Sequence, residues 1–134
     1  MSATTALDLG FASGVIVQEF GYDEDVDFDL RDSIEDAIGS QMEDEDYTGV
    51  ADSVLAWWRS EDGDTDDLTD YLVDCAASLE GASIIWLAIP ARGVSGHVNA
   101  TDVDEAARSA GMNVTSPLGL ESEWMLYRIS ARGK

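Results

Sequence analysis

Ser83-Ile84-Ile85-Trp86-Leu87-Ala88-Ile89 reads as one strand, and Pro90 closes it. After Ser83 every residue of the run is apolar. A strand with one wet face alternates polar and apolar residues, whereas an unbroken apolar strand is covered on both faces, as the inner strands of parallel sheets are. Upstream, Leu68, Leu72, Cys75, Ala76 and Leu79 share one helical face, which predicts a helix over 67–79. Asp64, Thr65 or Asp66 would cap it and Gly81 would end it. Downstream, residues 91–100 form a glycine-containing loop. Thr101-Asp102-Val103-Asp104 then has the form of a capping box, with aspartate in place of glutamate, and predicts a helix over 102–110 that stops at Gly111.

Farther out, the β-branched run Val15-Ile16-Val17-Gln18-Glu19-Phe20, set between Gly14 and Gly21, predicts a first strand. Leu30, Ile34, Ala37 and Ile38 predict a helix over 30–38 ended by Gly39. The stretch Gly49 to Trp58 fits either type. Its dense apolar end, Ser53 to Trp58, favours a buried strand, but a helix from Tyr47 fits as well. Residues 112–118 and 123–129 predict a hairpin turning near Gly119. The order β-α-β-α-β-α-β-β predicts a three-layer α/β protein: a mostly parallel sheet, right-handed crossovers, helices on both faces, and one antiparallel strand at the end of the sheet. No linker or internal repeat interrupts 1–134, so one domain is expected, with a polar lead-in at 1–8 and a tail at 130–134.

Charge is the outlying property. The chain carries 28 acidic against seven basic residues, a net of −21. The imbalance sits in residues 1–80, with 23 acids against Arg31 and Arg59; residues 81–134 balance at five and five. Such a field repels phosphate backbones and anionic lipid, so direct nucleic-acid and membrane binding are not expected, whereas basic protein surfaces and cations are attracted. Solubility alone would also explain it. Cys75 is the single cysteine and falls on an apolar helical face, so it reads as a small buried hydrophobe. The longest apolar run is too short to span a bilayer and residues 1–9 lack signal-peptide character; a cytoplasmic protein is expected.

Motifs for chemistry are sparse. Asp23, Asp25, Asp27 and Asp29 alternate as in a calcium loop, but Phe28 stands where the glycine belongs and Ile34 where the bidentate carboxylate belongs. The run from Asp62 fails at Asp67 and Val73. His97, the one histidine, follows the central strand, near where α/β sheets hold ligands. With Ser95 and an aspartate it could form a triad, but such residues are too common here to count as evidence. Arg92, in the same loop, could pair with a carboxylate of this chain or of a partner. Adjacent Trp57 and Trp58 would face opposite sides of a strand, one towards a helix and the other towards a rim; core packing is the commoner use of such rings, and the functional alternative makes Trp58 a partner anchor.

Leu9-Gly10-Phe11 with Gly14, Gln18 to Asp25, Trp57-Trp58-Arg59, Ile85-Trp86-Leu87, Gly96-His97-Val98 and Glu123-Trp124 together resemble the actinobacterial domain-of-unknown-function family 3052. The resemblance spans nearly the whole chain and implies no activity. It does imply a candidate partner in central carbon metabolism, the E1 component of pyruvate dehydrogenase. The layout is also similar to a trimmed, degenerate class I methyltransferase, a Rossmann-like fold. That fold needs glycines after its first strand so that backbone can approach the ligand. Phe20-Gly21-Tyr22-Asp23-Glu24-Asp25 offers one glycine and then bulk and negative charge, so no cofactor is expected. The expectation is a non-catalytic, acidic interaction or regulatory protein. Its partner-binding residues would be Asp23, Glu24, Asp25, Glu43, Asp44, Glu45, Asp46, Trp58, Arg92 and His97. The alternatives are a small-molecule-binding or enzymatic remnant using Glu19, Asp23, His97 and Arg92, and a mimic of nucleic acid.

Overall fold

In the computed structural model, residues 11–115, 117–120 and 122–130 are described. The predicted lead-in over 1–8 and the tail beyond Ser130 lie outside them. The elements are β1 (Val17–Phe20), α1 (Phe28–Ile38), β2 (Ala51–Trp57), α2 (Thr65–Cys75), β3 (Leu79–Pro90), α3 (Ala100–Ser109), β4 (Asn113–Val114), β5 (Leu118–Gly119) and β6 (Trp124–Ser130). Short 3₁₀ turns at Ser60–Asp62 and Ala76–Ser78 flank α2.

The sheet runs β1-β2-β3-β6-β4, with β5 also on β6. β1, β2 and β3 are parallel, and β6 is antiparallel to β3, β4 and β5. The antiparallel strand thus lies inside the sheet, between β3 and β4, and not at its end. Its long register with β3, from Ile84 opposite Ser130 to Pro90 opposite Trp124, joins two apolar strands that each need covering on both faces. The outer strand of the predicted hairpin is broken into the short β4 and β5. The ambiguous Gly49–Trp58 stretch resolves as β2. Gly81, expected to end a helix, lies within β3, because α2 gives way to a 3₁₀ turn at Ala76. The capping box expected at Thr101 does not form: α3 begins two residues earlier than predicted, at Ala100 after Asn99.

Helices cover both faces. α1 buries Leu30, Ile34 and Ile38 against Val17, Leu55 and Trp57, in a core completed by Phe11, Trp86, Trp124 and Leu126. α2 and α3 bury Leu68, Leu72, Cys75, Val103 and Ala106 on the opposite face, against Val54, Ala56, Ile85, Leu87 and Tyr127. The path between β1 and β2 places the functional edge of the sheet. After α1 the chain does not go straight to β2. Glu43 first pairs, parallel, with the outer edge of β1: its N–H donates to Val17 O, and Glu19 N–H donates to its carbonyl, both at 2.8 Å. The chain then crosses to β2 on the other side. α1 therefore serves a step in one direction along the sheet, and α2 and α3 serve steps in the other, from opposite faces. All three crossovers share one hand, and the direction reverses between β1 and β2.

Candidate functional site

An open α/β sheet holds its ligand outside the carboxyl ends of the strands, in the crevice where the strand order reverses. Here that crevice lies between Phe20-Gly21 and Trp57-Trp58-Arg59. It has a volume of about 320 Å³ and is lined by Gly21, Tyr22, Asp23, Glu45, Trp58, Arg59, Asp62 and Tyr71, among others. Its polar groups are already engaged with one another. Arg59, a buried guanidinium, donates through Nη1 to the Gly21 carbonyl at 2.9 Å. Through Nε, at 3.1 Å, and Nη2 it grips both carboxylate oxygens of Asp25. Glu45 Oε2 accepts the Gly21 N–H at 3.1 Å, and the Tyr71 hydroxyl donates to Trp57 O at 2.8 Å. Both backbone groups of the one glycine in the first β–α turn are thus taken by the chain's own side chains.

Beneath this crevice Glu19 is buried. It accepts the Trp57 indole N–H at 2.8 Å and is clasped by Arg31 through Nε at 2.7 Å and Nη2 at 2.8 Å. Burial works against the charge of Arg59, yet its bonds to Asp25 outweigh that and raise its pKa. The same hydrogen bond from Arg59 holds the Asp25 carboxyl below the usual carboxylate range. Burial pushes the Tyr71 hydroxyl and the Cys75 thiol well up, so neither is a nucleophile at neutral pH.

The Asp25 shift fixes the sign of one pH dependence. A depressed folded-state pKa stabilises the fold above the unfolded value of about 4, and that contribution is lost as pH falls through the folded value. Asp25→Asn is therefore expected to be less stable than the parent at pH 7 in urea denaturation. The gap should begin to close at about pH 4. The Asp25 side chain is 57% exposed, so screening keeps the gap below about 1 kcal/mol.

Asp23, Glu24 and Asp25 stand exposed in the loop after β1, as do Glu43, Asp44, Glu45 and Asp46 beside it. Arg59 and Glu45 bring the two loops together at Gly21. Trp58 is a correction. It is buried against Tyr71, ring centroids 4.7 Å apart, and is not available to a partner. Arg92 is exposed in the loop after β3. His97 lines a separate cleft of about 220 Å³ between the starts of α2 and α3, with Ser60, Asp64 and Asp102. Its Nδ1 lies 2.8 Å from the Pro90 carbonyl, an acceptor only, so Nδ1 carries a proton and donates there. Neither Arg59 nor Tyr71 is assigned a place at the site from the sequence. The signal for Arg59 was there: it is one of two bases among the first 80 residues and directly follows an apolar strand. No group of three or more histidine, cysteine or acidic side chains among the described residues is arranged to hold a metal. None of the described helices is long and apolar enough to cross a membrane.

Residues 6–133 match the family model described as Protein of unknown function (DUF3052). The chain belongs to that family. Uncharacterized proteins of Mycobacterium tuberculosis and Mycobacterium bovis are 41% identical over 124 residues, covering 92% of this chain and 76% of theirs. Among solved structures, the magnesium protoporphyrin IX methyltransferase of Synechocystis PCC 6803 with bound SAM superposes with TM-score 0.57 at 12% identity. The match covers 96% of this DUF3052 chain and 74% of that one. PigF with SAH gives 0.68 at 11% identity, covering 93% of this chain and 52% of PigF. These likenesses show the fold, a class I methyltransferase-like Rossmann arrangement. The residues of this DUF3052 protein do not fit the methyl donor of those enzymes at the corresponding turn. Gly21 N–H is bonded to Glu45 and Gly21 O to Arg59, and a mere methyl group built on Gly21 would collide with Trp57 O and Tyr71.

Proposed function

We propose that this DUF3052 protein is a non-catalytic interaction protein that binds a basic surface of another protein through the carboxyl edge of its sheet. One observation carries the reading: acids gather on the edge that would otherwise hold a ligand. Asp23, Glu24, Asp25 and Asp27 follow β1, Glu61, Asp62 and Asp64 follow β2, Asp102 opens α3, and Glu123 precedes β6. Two of the nearby bases, Arg31 and Arg59, are spent on Glu19 and Asp25. A rim dominated by one sign, with Arg92 as an exposed exception in the loop after β3, steers a partner of the opposite sign and rejects like-charged ones. The E1 component of pyruvate dehydrogenase is the first partner to test.

Such a complex is salt-labile, because charges separated by more than a Debye length of about 10 Å at 0.1 M salt are screened. Immobilised protein is expected to retain its partner, purified E1 or a cytoplasmic protein, at about 50 mM salt and to release most of it at about 500 mM. Absence of any retained protein at low salt, or retention indifferent to salt, argues against the reading.

A further inference from the structure

The acidic rim contains one place where aromatic surface is exposed. Tyr22 and Phe28 are 48% and 45% exposed and meet edge to face, with centroids 6.1 Å apart. The other large apolar side chains exposed among the described residues are Ile16, Val50 and Val73. They lie at the amino ends of β1 and β2 and on α2. Each ring of the pair lines a different cleft. Tyr22 borders the switch-point crevice with Asp23, Glu45 and Asp62. Phe28 borders a second cleft of about 350 Å³, where Asp29 and Glu123 stand near the Trp124 ring. The rings thus form a ridge between two carboxylate-lined hollows.

The chain itself shows what the aromatic and acidic groups of this edge bind. Twice at this edge a guanidinium is bound by an aromatic face together with a carboxylate. Arg31 lies 4.8 Å from the Tyr22 ring centre while paired with Glu19, and Arg59 lies 5.2 Å from that of Trp124 while paired with Asp25. A planar guanidinium suits this arrangement better than an ammonium, because it stacks and also forks onto a carboxylate. We infer that the Tyr22–Phe28 ridge is the docking point for an arginine-bearing segment of another protein, with an apolar side chain on the ridge and an arginine in each flanking cleft. The inference rests on the reading above and names where on the rim, and by what chemistry, the partner is held. An aromatic centre ringed by charge is also how interface hot spots are built.

The probe is a synthetic peptide, Gly-Arg-Ser-Leu-Ser-Arg-Gly, with a twin carrying glutamate for arginine, titrated into the full ¹⁵N-labelled chain at low salt. The arginine peptide is expected to shift the amides of residues 21–29 and 122–124 and the Trp124 indole N–H, and the glutamate twin to shift none. Tyr22→Ala/Phe28→Ala should weaken the peptide about tenfold or more. Asp70→Asn/Asp74→Asn, which removes two charges from α2, should weaken it less than about threefold. If the aromatic double variant folds poorly, Asp29→Asn/Glu123→Gln tests the same site with exposed side chains alone and should also weaken binding about tenfold. No binding of the arginine peptide, shifts spread over the whole acidic surface, or undiminished binding by these variants overturns the inference. A physiological partner captured equally by parent and Tyr22→Ala/Phe28→Ala would sink this placement and leave the acidic-surface reading standing. Loss of salt-sensitive capture by the parent would remove that reading itself.

Discussion

Glu19→Ala is expected to destabilise the protein by about 4 kcal/mol, the scale on which removing one partner of a buried ion pair acts. Glu19 is 6% exposed and accepts three hydrogen bonds, two from Arg31 and one from the Trp57 indole. Alanine leaves a guanidinium without its counter-ion and an indole N–H, inside a fully buried ring, without an acceptor. The indole N–H, in a fully buried ring, regains no water, and the Arg31 guanidinium, 20% exposed, regains only part of its hydration, so the loss exceeds what the original bonds contributed. Replacing the pair together, Glu19→Ala/Arg31→Met, removes the stranded cation and should recover about half of the loss. Glu19→Gln keeps one acceptor oxygen and should cost less than Glu19→Ala. Urea denaturation of the four proteins checks the order, and a cost for Glu19→Ala below about 1 kcal/mol would show the network to be dispensable.

Gly21→Ala is expected to cost about 3 kcal/mol or more, for two separable reasons. Gly21 has φ of 77°, a left-handed conformation that L side chains adopt only with strain. A Cβ there would also stand 2.5 Å from the Tyr71 hydroxyl and closer still to the Trp57 carbonyl oxygen, which is backbone and does not yield. Gly93→Ala separates the terms: φ is 83° but nothing lies within 4 Å of the added carbon. It should cost about 1 kcal/mol. Thermal midpoints of both variants give the comparison, and equal shifts would mean that the close approach at Gly21 carries no weight.

The unbroken apolar run at 84–89 makes the layered α/β architecture legible, because chemistry alone demands cover on both faces. The helices are legible from their periodicity. Strand order is not: β6 enters between β3 and β4, and nothing in alternation or propensity distinguishes an inner neighbour from an outer one. The edge pairing at Glu43 is invisible for a similar reason, since a single residue makes no pattern. Trp58 is misread as an anchor although the logic that buries both sides of β3 applies equally to Ser53–Trp58. The acidic rim is readable as composition, but its closure at Gly21 depends on Arg59, Asp25 and Glu45, which lie far apart along the chain. The Tyr22–Phe28 ridge also needs the fold, because neighbouring acids hide two aromatic residues in a stretch that reads as a solvated loop.

The detour past β1 has a consequence for assembly during synthesis. β1 leaves the ribosome before either flanking segment, and its inner neighbour is completed only with Trp57. The core beneath α2 and α3, by contrast, draws on residues from Val54 onward, with Phe20 alone from β1. Nascent β1 and α1 therefore wait, amphipathic and strongly anionic, until β2 offers a seat. Charge repulsion between copies of that segment opposes their pairing edge to edge.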